Sequence, residues 1–512
     1  MSNSVPGPAL VIFGDSLSDN GNLFAQAEGL IEEDVRLSLA GAGGQASNGT
    51  TWAEQVAAPL GIDDPANYAV AGAEAVGRQT IGGFIDEYGL TDALIVPQDD
   101  PALEWDMNLS AQVDRFEADW AGADLSATTA LIFIGGNDYA ALDPTSRYIA
   151  ADALALAHNV VKTTLHEAEG LLAAGVERVV LTTMPPARFF PAFNELIGEG
   201  GAANGAYADV AAYELLMRAH NEILASRVEK LASEGLDVVI ADLTPVAASV
   251  WDDPMAFGLY APLTETLADG AGSSFDADQI GFWDELHPTE ALHGIIAAHM
   301  AHVLAGGIVH EALGFDVTER HQYQGDLLYY GAQKNDAISA GWGEDVIFGG
   351  SGNDQVLAGR GDDIVSLGSG KDLAFGGEGD DFLTAASGEN VLNAGAGNDA
   401  LVSGLGETEA LGGNGDDVFV FVDPALLGHP DAPASFSIDG GAGHDILYLV
   451  LDPESIAADG AALLAGDAAT LAGYGVTAKG VDEIALIAGR EGIDSALSGY
   501  AWYEEASLWN LV

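Results

Sequence analysis

Residues 340–420 consist of nine consecutive nonapeptides, and this repeat limits the possible folds more than any other feature of the chain. The fourth residue of each unit is Gly, the eighth is apolar, and the sixth is Asp in seven of the nine units. A fixed period of this kind predicts a solenoid, in which successive units stack on one another. An isolated tenth copy follows at 440–448.

The residues of each unit predict calcium binding. Glycines allow tight turns with positive φ that expose carbonyl oxygens, and the sixth-position Asp adds a charged oxygen. Ca²⁺ prefers oxygen ligands, and this nonapeptide is a known calcium motif. A flexible Gly-rich linker is the alternative, but a linker would not keep Asp and an apolar residue in phase through nine units. We therefore predict several structural calcium ions, held by Asp345, Asp354, Asp363, Asp372, Asp381, Asp399, Asp417 and Asp445.

The charge of the chain also favours cations as ligands. There are 79 Asp and Glu residues against 16 Lys and Arg, which gives a formal net charge of −63. Such a charge repels nucleic acids and anionic membrane surfaces, so these are not expected partners. Surface acidity of the halophile type would explain the same composition. The chain has no cysteine, which excludes disulfides and thiolate metal sites.

The repeats closely resemble those of the RTX (repeats-in-toxin) family. In that family two nonapeptides form one turn of a parallel β-roll, and calcium lies between equivalent loops of successive turns. The resemblance implies that odd-numbered units share one side of the roll and keep Asp throughout. On the even side the sixth residues are Asp354, Asp372, Asn390 and Thr408. We therefore predict an unbroken calcium row on the odd side and an even row that fails after its second unit.

The RTX resemblance also implies secretion from a bacterial cell by the type I machinery, which reads a C-terminal signal. The N-terminal sequence MSNSVPGPAL is not typical of a signal peptide, and no apolar run approaches the roughly 20 residues of a transmembrane segment. Extracellular calcium modules bind the ion at about 10⁻⁴ to 10⁻³ M, so the roll is expected to fold only outside the cell.

The first 310 residues have a different pattern, in which short apolar runs alternate with long stretches rich in Ala, Leu and Glu. The apolar runs, which predict buried parallel strands, are 9–13, 130–134, 178–183 and 237–241. The stretches that predict helices are 148–174, 206–233 and 289–305. This order predicts an α/β three-layer sandwich with a parallel sheet, followed by the all-β parallel roll.

Two short motifs in this part carry candidate catalytic groups. The first apolar run leads into GDSLSDNGN and places Ser16 just past the end of a strand, where open α/β sheets bind ligands. The motif GFWDELHP contains Asp284 and His287. A serine hydroxyl needs a base within hydrogen-bond reach, and the base needs a carboxylate that fixes its tautomer. Taken alone, Ser16 could simply cap a helix, and a capping Asp with a solvated His would be the better interpretation of Asp284 and His287. Together the two motifs predict a serine hydrolase.

The two motifs and their order resemble the GDSL, or SGNH, hydrolases over residues 9–305. The resemblance implies that Ser16 is the nucleophile, with Asp284 and His287 completing the triad. It also implies an oxyanion hole formed by the N–H groups of Ser16 and Gly72 and by the amide of Asn137, in the segments NYAVAGAEA and IGGND. Gly77 competes with Gly72 for this role. No G-x-S-x-G motif surrounds Ser16, which disfavours the α/β-hydrolase fold.

The predicted function is a secreted serine hydrolase that cleaves carboxylic esters through an acyl-enzyme and needs no cofactor for catalysis. Lipase, phospholipase and esterase activities all fit, and a carbohydrate deacetylase is an alternative. A further alternative is a calcium-dependent adhesive protein with an inactive hydrolase domain. The predicted regions are a hydrolase domain at 1–310, a connector at 311–339, the roll at 340–420, and a capping region with the secretion signal at 421–512.

Overall fold

A computed structural model of the chain describes residues 5–32, 44–63, 65–87, 89–139, 149–193, 206–268, 275–311, 318–331, 333–432, 434–508 and 510–511. Internal contacts divide the chain into two units. The α/β unit comprises Met1–Ala247, Thr264–Gly270 and Gly281–Ala301. The roll unit comprises Ala248–Leu263, Ala271–Ile280 and His302–Val512. Among the described residues, no helix is both long and apolar enough to cross a membrane.

The α/β unit contains a five-stranded sheet in the order β2-β1-β3-β4-β5, and all of its strand pairs are parallel. The strands are β1 (Leu10–Gly14), β2 (Ala66–Asn67), β3 (Thr129–Phe133), β4 (Arg178–Thr182) and β5 (Val238–Ala241). All five residues of β1 are buried, and so are four of the five in β3 and in β4. Burial on both faces explains why these strands are unbroken apolar runs.

Helices connect these strands. Those described up to residue 304 are α1 (Asn22–Gln26), α2 (Trp52–Gln55), α3 (Ile81–Glu87), α4 (Leu109–Asp119), α5 (Gly136–Tyr139), α6 (Ile149–Ala174), α7 (Ala206–Ser233), α8 (Thr244–Asp252) and α9 (Glu290–Leu304). Short 3₁₀ turns lie at Thr91–Ala93, Pro101–Glu104, Ala187–Phe189, Pro254–Phe257 and Ala277–Gln279. The parallel sheet with its long helices confirms the predicted α/β fold.

The roll unit contains two sheets of parallel strands. The nine-stranded sheet consists of β6 (Ile308–Glu311), β8 (Leu327–Tyr330), β10 (Val346–Phe348), β13 (Ile364–Ser366), β16 (Phe382–Thr384), β18 (Ala400–Val402), β20 (Val418–Val422), β22 (Ile446–Leu451) and β24 (Glu483–Ala488). The other contains β7 (Thr318–Gln324), β9 (Ala337–Trp342), β11 (Ser351–Gly352), β12 (Gln355–Arg360), β14 (Ser369–Gly370), β15 (Leu373–Glu378), β17 (Ser387–Ala396), β19 (Leu405–Asn414), β21 (Ala434–Ala442) and β23 (Val476–Lys479).

Successive turns of the roll are two nonapeptides apart. Val346 pairs with Ile364, and Ile364 pairs with Phe382, so neighbouring strands of one sheet lie 18 residues apart in sequence. The apolar residue at the eighth position of each unit is fully buried in one continuous core, from Ile347 to Phe419. Two units per turn and a shared apolar core confirm the predicted parallel β-roll.

Both sheets extend beyond the regular repeats. Strands β6, β7 and β8 precede residue 340, so the segment 311–339 contributes paired strands as well as connecting the two regions. Strands β21 to β24 continue the sheets after residue 420, together with α10 (Pro453–Leu464), α11 (Ala468–Gly473), α12 (Ile493–Leu497) and α13 (Ala501–Leu508). Further 3₁₀ turns lie at Pro424–Leu427 and Arg490–Gly492.

One segment of the roll unit comes from the middle of the predicted hydrolase domain. In Ala248–Leu263, the Phe257 ring is fully buried and stacks on Phe348 with ring centres 4.2 Å apart. It also stacks on Tyr330. The roll unit is therefore assembled from separate stretches of the chain.

Candidate active site and calcium site

Ser16 lies two residues after β1, at the carboxyl end of the central part of the sheet. The N–H groups of Ser18 and Asp19 both donate to the carbonyl of Asp15 over 3.0 Å, which closes a turn around Ser16. Gln112 holds the end of β1 because its side chain bonds both the N–H and the carbonyl of Gly14. The Ser16 side chain is partly exposed, as a group that meets a substrate must be.

His287 and Asp284 lie beside this serine, although 271 residues separate His287 from Ser16 in sequence. The Ser16 hydroxyl oxygen is 3.0 Å from Nε2 of His287. Nδ1 of the same ring is 3.0 and 2.9 Å from the two carboxylate oxygens of Asp284. The structure thus brings the three predicted residues together in the order hydroxyl, imidazole, carboxylate. This arrangement can transfer a proton from the hydroxyl to the imidazole.

Asp284 is held in place by backbone as well as by the imidazole. The N–H groups of Leu286 and His287 each donate to its Oδ1 over 2.8 Å. Partial burial of Asp284 favours the neutral carboxyl, but the hydrogen bonds from His287 and these two N–H groups outweigh it and lower the pKa. Asp284 is therefore ionised at neutral pH and can stabilise a positive charge on His287.

Gly72 and Asn137 lie at the same edge of the sheet as Ser16. Gly72 follows β2 and Asn137 follows β3, and both strands are parallel neighbours of β1. The Asn137 Nδ2 donates to the carbonyl of Ala73 over 2.8 Å, so its amide lies beside the residue that follows Gly72. The second hydrogen of this amide remains for another acceptor.

The backbone at Gly72 requires glycine. Its φ is 79°, and a Cβ atom there would come within 2.6 Å of the Phe84 ring. The preceding N–H, that of Ala71, donates to the buried carboxylate of Asp19 over 2.8 Å, which fixes the loop. The competing Gly77 also has a positive φ, of 92°, but the nearest atom to a Cβ there is 3.9 Å away.

Two buried carboxyls near this site were not predicted from the sequence. Asp15 adjoins Ser16, and burial raises its pKa to about 7 although the N–H of Leu17 donates to it. Asp138 adjoins Asn137, and burial raises its pKa to about 6 although it accepts the N–H groups of Ala75 and Val76. Each carboxyl organises a loop that carries a predicted site residue. In the sequence, the sign that could have indicated Asp15 and Asp138 is that each adjoins a predicted site residue, Ser16 or Asn137.

The sixth-position aspartates of the roll form ladders of hydrogen bonds. Oδ1 of each accepts a backbone N–H from the preceding turn, as when Asp345 donates to Asp363 over 2.8 Å. The second oxygen is buried and has no protein partner at every predicted calcium ligand, namely Asp345, Asp354, Asp363, Asp372, Asp381, Asp399, Asp417 and Asp445. A buried anionic oxygen without a partner is strongly unfavourable unless a cation compensates it.

The carboxyl pKa values show the same need for a cation. Burial, followed by repulsion from neighbouring aspartates, raises the pKa of Asp354, Asp363 and Asp399 to about 8. Among the described residues, no three His, Cys, Asp or Glu side chains gather into a metal cluster. A cation in these loops would therefore need backbone carbonyls as further ligands, and Ca²⁺ accepts such ligands readily. The residues present fit calcium.

Comparison with protein families agrees with this geometry. The family model described as GDSL-like lipase/acylhydrolase matches residues 10–300, which is more than half of the chain. The chain belongs to this family. All five predicted site residues lie within the matched range of this GDSL-like region. The model for RTX calcium-binding nonapeptide repeats matches four stretches, 329–356, 339–374, 375–407 and 437–449. No curated protein matches the sequence.

The two sides of the RTX roll differ in their ladders. On the odd side the ladder continues past the regular repeats, because the N–H of Asp445 donates to Asp482 over 3.1 Å. On the even side Asn390 accepts the N–H of Asp372, and its own amide donates to Ser387. Strand β17 runs without a break through Asn390, whereas the chain is not a strand at Asp354.

The even side also begins earlier than predicted. Asp336 occupies the sixth position of the irregular unit 331–339, is 2% exposed, and donates its N–H to Asp354 over 2.7 Å. Asp336 and Asp482 are thus further members of the two ladders of this GDSL-family chain. The pattern N-D-x-I at 335–338 was the signal for Asp336, and nothing in the sequence around Asp482 repeats closely enough to indicate it.

Proposed function

We propose that the chain is a secreted serine hydrolase that cleaves carboxylic esters through an acyl-enzyme. The single observation that carries this proposal is the 3.0 Å contact between the Ser16 hydroxyl and Nε2 of His287, with Asp284 on the opposite ring nitrogen. Ser16 is the nucleophile, His287 is the base, and Asp284 orients the ring. The membership of the GDSL-like family supports a hydrolase.

In the first step Ser16 attacks the ester carbonyl, and its proton moves to Nε2 of His287. The carboxylate of Asp284 keeps the remaining ring proton on Nδ1 and stabilises the imidazolium. The negative oxygen that develops is stabilised by the N–H groups of Ser16 and Gly72 and by the Asn137 amide. His287 then protonates the leaving alcohol, and water hydrolyses the acyl-enzyme with the same proton transfers.

An apolar pocket beside Gly72 favours an ester with an apolar acyl group. Its lining residues are Leu23, Phe24, Ala27, Ile31, Gly44, Ala46, Ala71, Ile81, Phe84, Ile85 and Leu90. Its volume of about 50 Å³ corresponds to a few carbon atoms, and a hydroxylated sugar would find no polar partner among these side chains. This lining supports a lipase or esterase activity over carbohydrate deacetylation.

Calcium is proposed to act structurally in the RTX roll, outside the catalytic steps. The aspartates with free buried oxygens would hold it together with backbone carbonyls, in an unbroken odd row and an even row ending at Asp372. When bound, the ion neutralises carboxylates that otherwise repel one another. Extracellular calcium modules have Kd values of about 10⁻⁴ to 10⁻³ M and are filled only outside cells. The repeats therefore support secretion, with the type I machinery as the export partner.

The test combines ester hydrolysis with covalent labelling. The wild type, Ser16→Ala and the surface control Ser126→Ala are assayed on p-nitrophenyl esters of graded chain length, in calcium and in chelator. A fluorophosphonate probe followed by peptide mass spectrometry identifies the reactive serine without assuming a substrate. We expect labelling at Ser16 and hydrolysis by the wild type and by Ser126→Ala, with neither labelling nor hydrolysis in Ser16→Ala.

Activity that survives Ser16→Ala, or labelling at a different serine, would refute the assigned nucleophile. An absence of both labelling and hydrolysis in a calcium-loaded, folded protein would instead favour the adhesive protein with an inactive hydrolase domain. An optimum at acetyl esters of sugars would favour the deacetylase.

A further inference from the structure

Asp253 connects the segment Ala248–Leu263 to a calcium loop of the roll unit. Asp253 is 4% exposed, and its Oδ2 accepts both the N–H and the hydroxyl of Ser369 over 2.8 Å. The Ser366 hydroxyl donates to the carbonyl of Ala256 over 2.6 Å and forms a second attachment. Ser369 is the third residue of the fourth repeat unit, 367–375. The predicted calcium ligand of that unit, Asp372, follows three residues later.

The loop that Asp253 contacts faces the aspartate of the preceding even unit. A Cβ on Gly349 would lie 3.0 Å from the free oxygen of Asp354 and 2.6 Å from the carbonyl oxygen of Leu367. A Cβ on Gly368, the next residue, would lie 2.8 Å from Oδ2 of Asp253. Asp253 thus holds the stretch of backbone that lies against Asp354.

The carboxylates of Asp253, Asp354 and Asp372 repel one another in this region. The second oxygens of Asp354 and Asp372 are buried without a protein partner. Burial is the main cause of their raised pKa values, and the charge of Asp253 raises both further. The Oδ2 of Asp253 already accepts two hydrogen bonds from Ser369. Asp253 therefore positions the loop and adds negative charge beside it, and we do not assign it as a calcium ligand.

We propose that Asp253 is a positioning residue for calcium on the even side of the roll, so that calcium between Asp354 and Asp372 and docking of Ala248–Leu263 strengthen each other. The coupling is reciprocal by thermodynamic necessity: if docking raises calcium affinity, calcium raises the stability of docking by the same factor. The inference goes beyond ester hydrolysis and rests only on calcium binding by the repeats.

The segment Ala248–Leu263 precedes the two predicted catalytic residues Asp284 and His287 in the sequence. Ala248–Leu263 and Ala271–Ile280 belong to the roll unit, and residues 281–301 return to the α/β unit. Asp284 and His287 therefore follow the second of these stretches within seven residues. Calcium on the even side would stabilise Ala248–Leu263, a stretch of the roll unit that lies within the GDSL-like region of the sequence.

The test is hydrogen–deuterium exchange of the full-length chain during a calcium titration. Peptides from the even loops 349–357 and 367–375 report even-side binding, those from 376–384 and 394–402 report the odd side, and those from 248–263 report docking. We expect Asp253→Asn to raise the calcium concentration for half-protection of the even loops by about 5- to 150-fold, the usual range of such couplings. The odd loops should keep their wild-type midpoint.

Asp431→Asn is the charge-matched control, because Asp431 is an exposed residue of the roll unit outside the repeat loops and outside the docked segment. It should leave every midpoint unchanged. Asp372→Asn should remove the calcium dependence of 248–263, whereas Asp381→Asn on the odd side should retain it. Asn390 shows that asparagine preserves the ladder hydrogen bond, so neither change removes a fold contact.

Three results would overturn the proposal. Equal shifts of the even and odd loops in Asp253→Asn would indicate a general loss of stability. Equal behaviour of Asp372→Asn and Asp381→Asn at 248–263, or protection of 248–263 that ignores calcium, would remove the coupling. If a row variant fails to fold, comparison of Asp253→Asn with Asp431→Asn still decides. Absence of calcium protection in every repeat would refute calcium binding itself, independently of Asp253.

Discussion

Replacing Asp363 by Asn should stabilise the calcium-free roll, and calcium should reduce that advantage. Asp363 is 1% exposed, its Oδ1 accepts the N–H of Asp345, and its Oδ2 has no partner. Asn390 already occupies an equivalent position and accepts the N–H of Asp372 over 3.0 Å. The substitution therefore keeps the ladder bond and removes only the charge and one acceptor oxygen of a calcium site.

The size of the effect follows from the pKa. Burial, with repulsion from Asp381 and Asp345, raises the pKa of Asp363 from 3.8 to about 8. Each pKa unit corresponds to about 1.4 kcal/mol, so ionising this carboxyl at pH 8 destabilises the calcium-free fold by at most about 5–6 kcal/mol. Because the repulsion is shared with its neighbours, we expect Asp363→Asn to stabilise the calcium-free roll by about 2–5 kcal/mol at pH 8.

The pH dependence has a definite sign. The folded-state pKa lies above the unfolded value, so the unfolded state loses its proton first, and the stability of the calcium-free roll falls as pH rises from about 4 to about 8. Near pH 4 and below, the carboxyl is protonated in both states, and the advantage of the variant should vanish. Millimolar calcium acts in the opposite direction: at about 10 times a Kd of about 10⁻⁴ M, the ion contributes about 1.4 kcal/mol per site that the variant loses, so the advantage of the variant should shrink.

The assay is denaturant unfolding followed by circular dichroism at pH 5 and pH 8, in chelator and in calcium. Asp439→Asn is the control, because Asp439 pairs with Lys479 at the surface. A variant less stable than the wild type in chelator at pH 8 would refute the reasoning. So would an advantage that is as large at pH 5 as at pH 8.

Three further predictions concern the active site. Asp284→Asn should lower kcat by about 10³- to 10⁴-fold, measured on one ester at saturating concentration, and a loss below tenfold would contradict the triad. Asn137→Ala should lower kcat by about 10²- to 10³-fold with KM little changed, and a pure KM effect would place Asn137 outside the oxyanion hole. Phe84→Ala should shift the chain-length optimum to longer esters, since Phe84 lines the apolar pocket. An unchanged chain-length profile would place the acyl site elsewhere.

The elements that could be predicted from the sequence are those whose signal is local. The buried run at β1, the nonapeptide period and the pair Asp284 and His287 each lie within ten residues, and the structure contains the corresponding strand, roll and hydrogen bond. The meeting of His287 with Ser16 could be inferred only from family resemblance, because periodicity does not determine which distant loops meet.

Other features depend on long-range packing and left no local pattern. Strand β2 has only two residues and forms because the edge of β1 is available for pairing. The apolar segment MAFGLYAPL indicates burial without indicating its partner, and its Phe257 packs on strands that lie about 70 to 90 residues later. The pKa values of Asp15 and Asp138 depend on burial, which the sequence around them does not encode.

The interleaved division of the chain determines how this protein can be cut. A fragment ending at residue 310 would keep Phe257 and Asp253 while losing Tyr330, Phe348 and Ser369, the groups that cover them. The fragment would carry a bare aromatic ring and a carboxylate without its donors, both of which promote aggregation or local unfolding. Protein engineers who want the catalytic unit alone should therefore redesign residues 248–263 before removing the roll, because no single cut separates the two units.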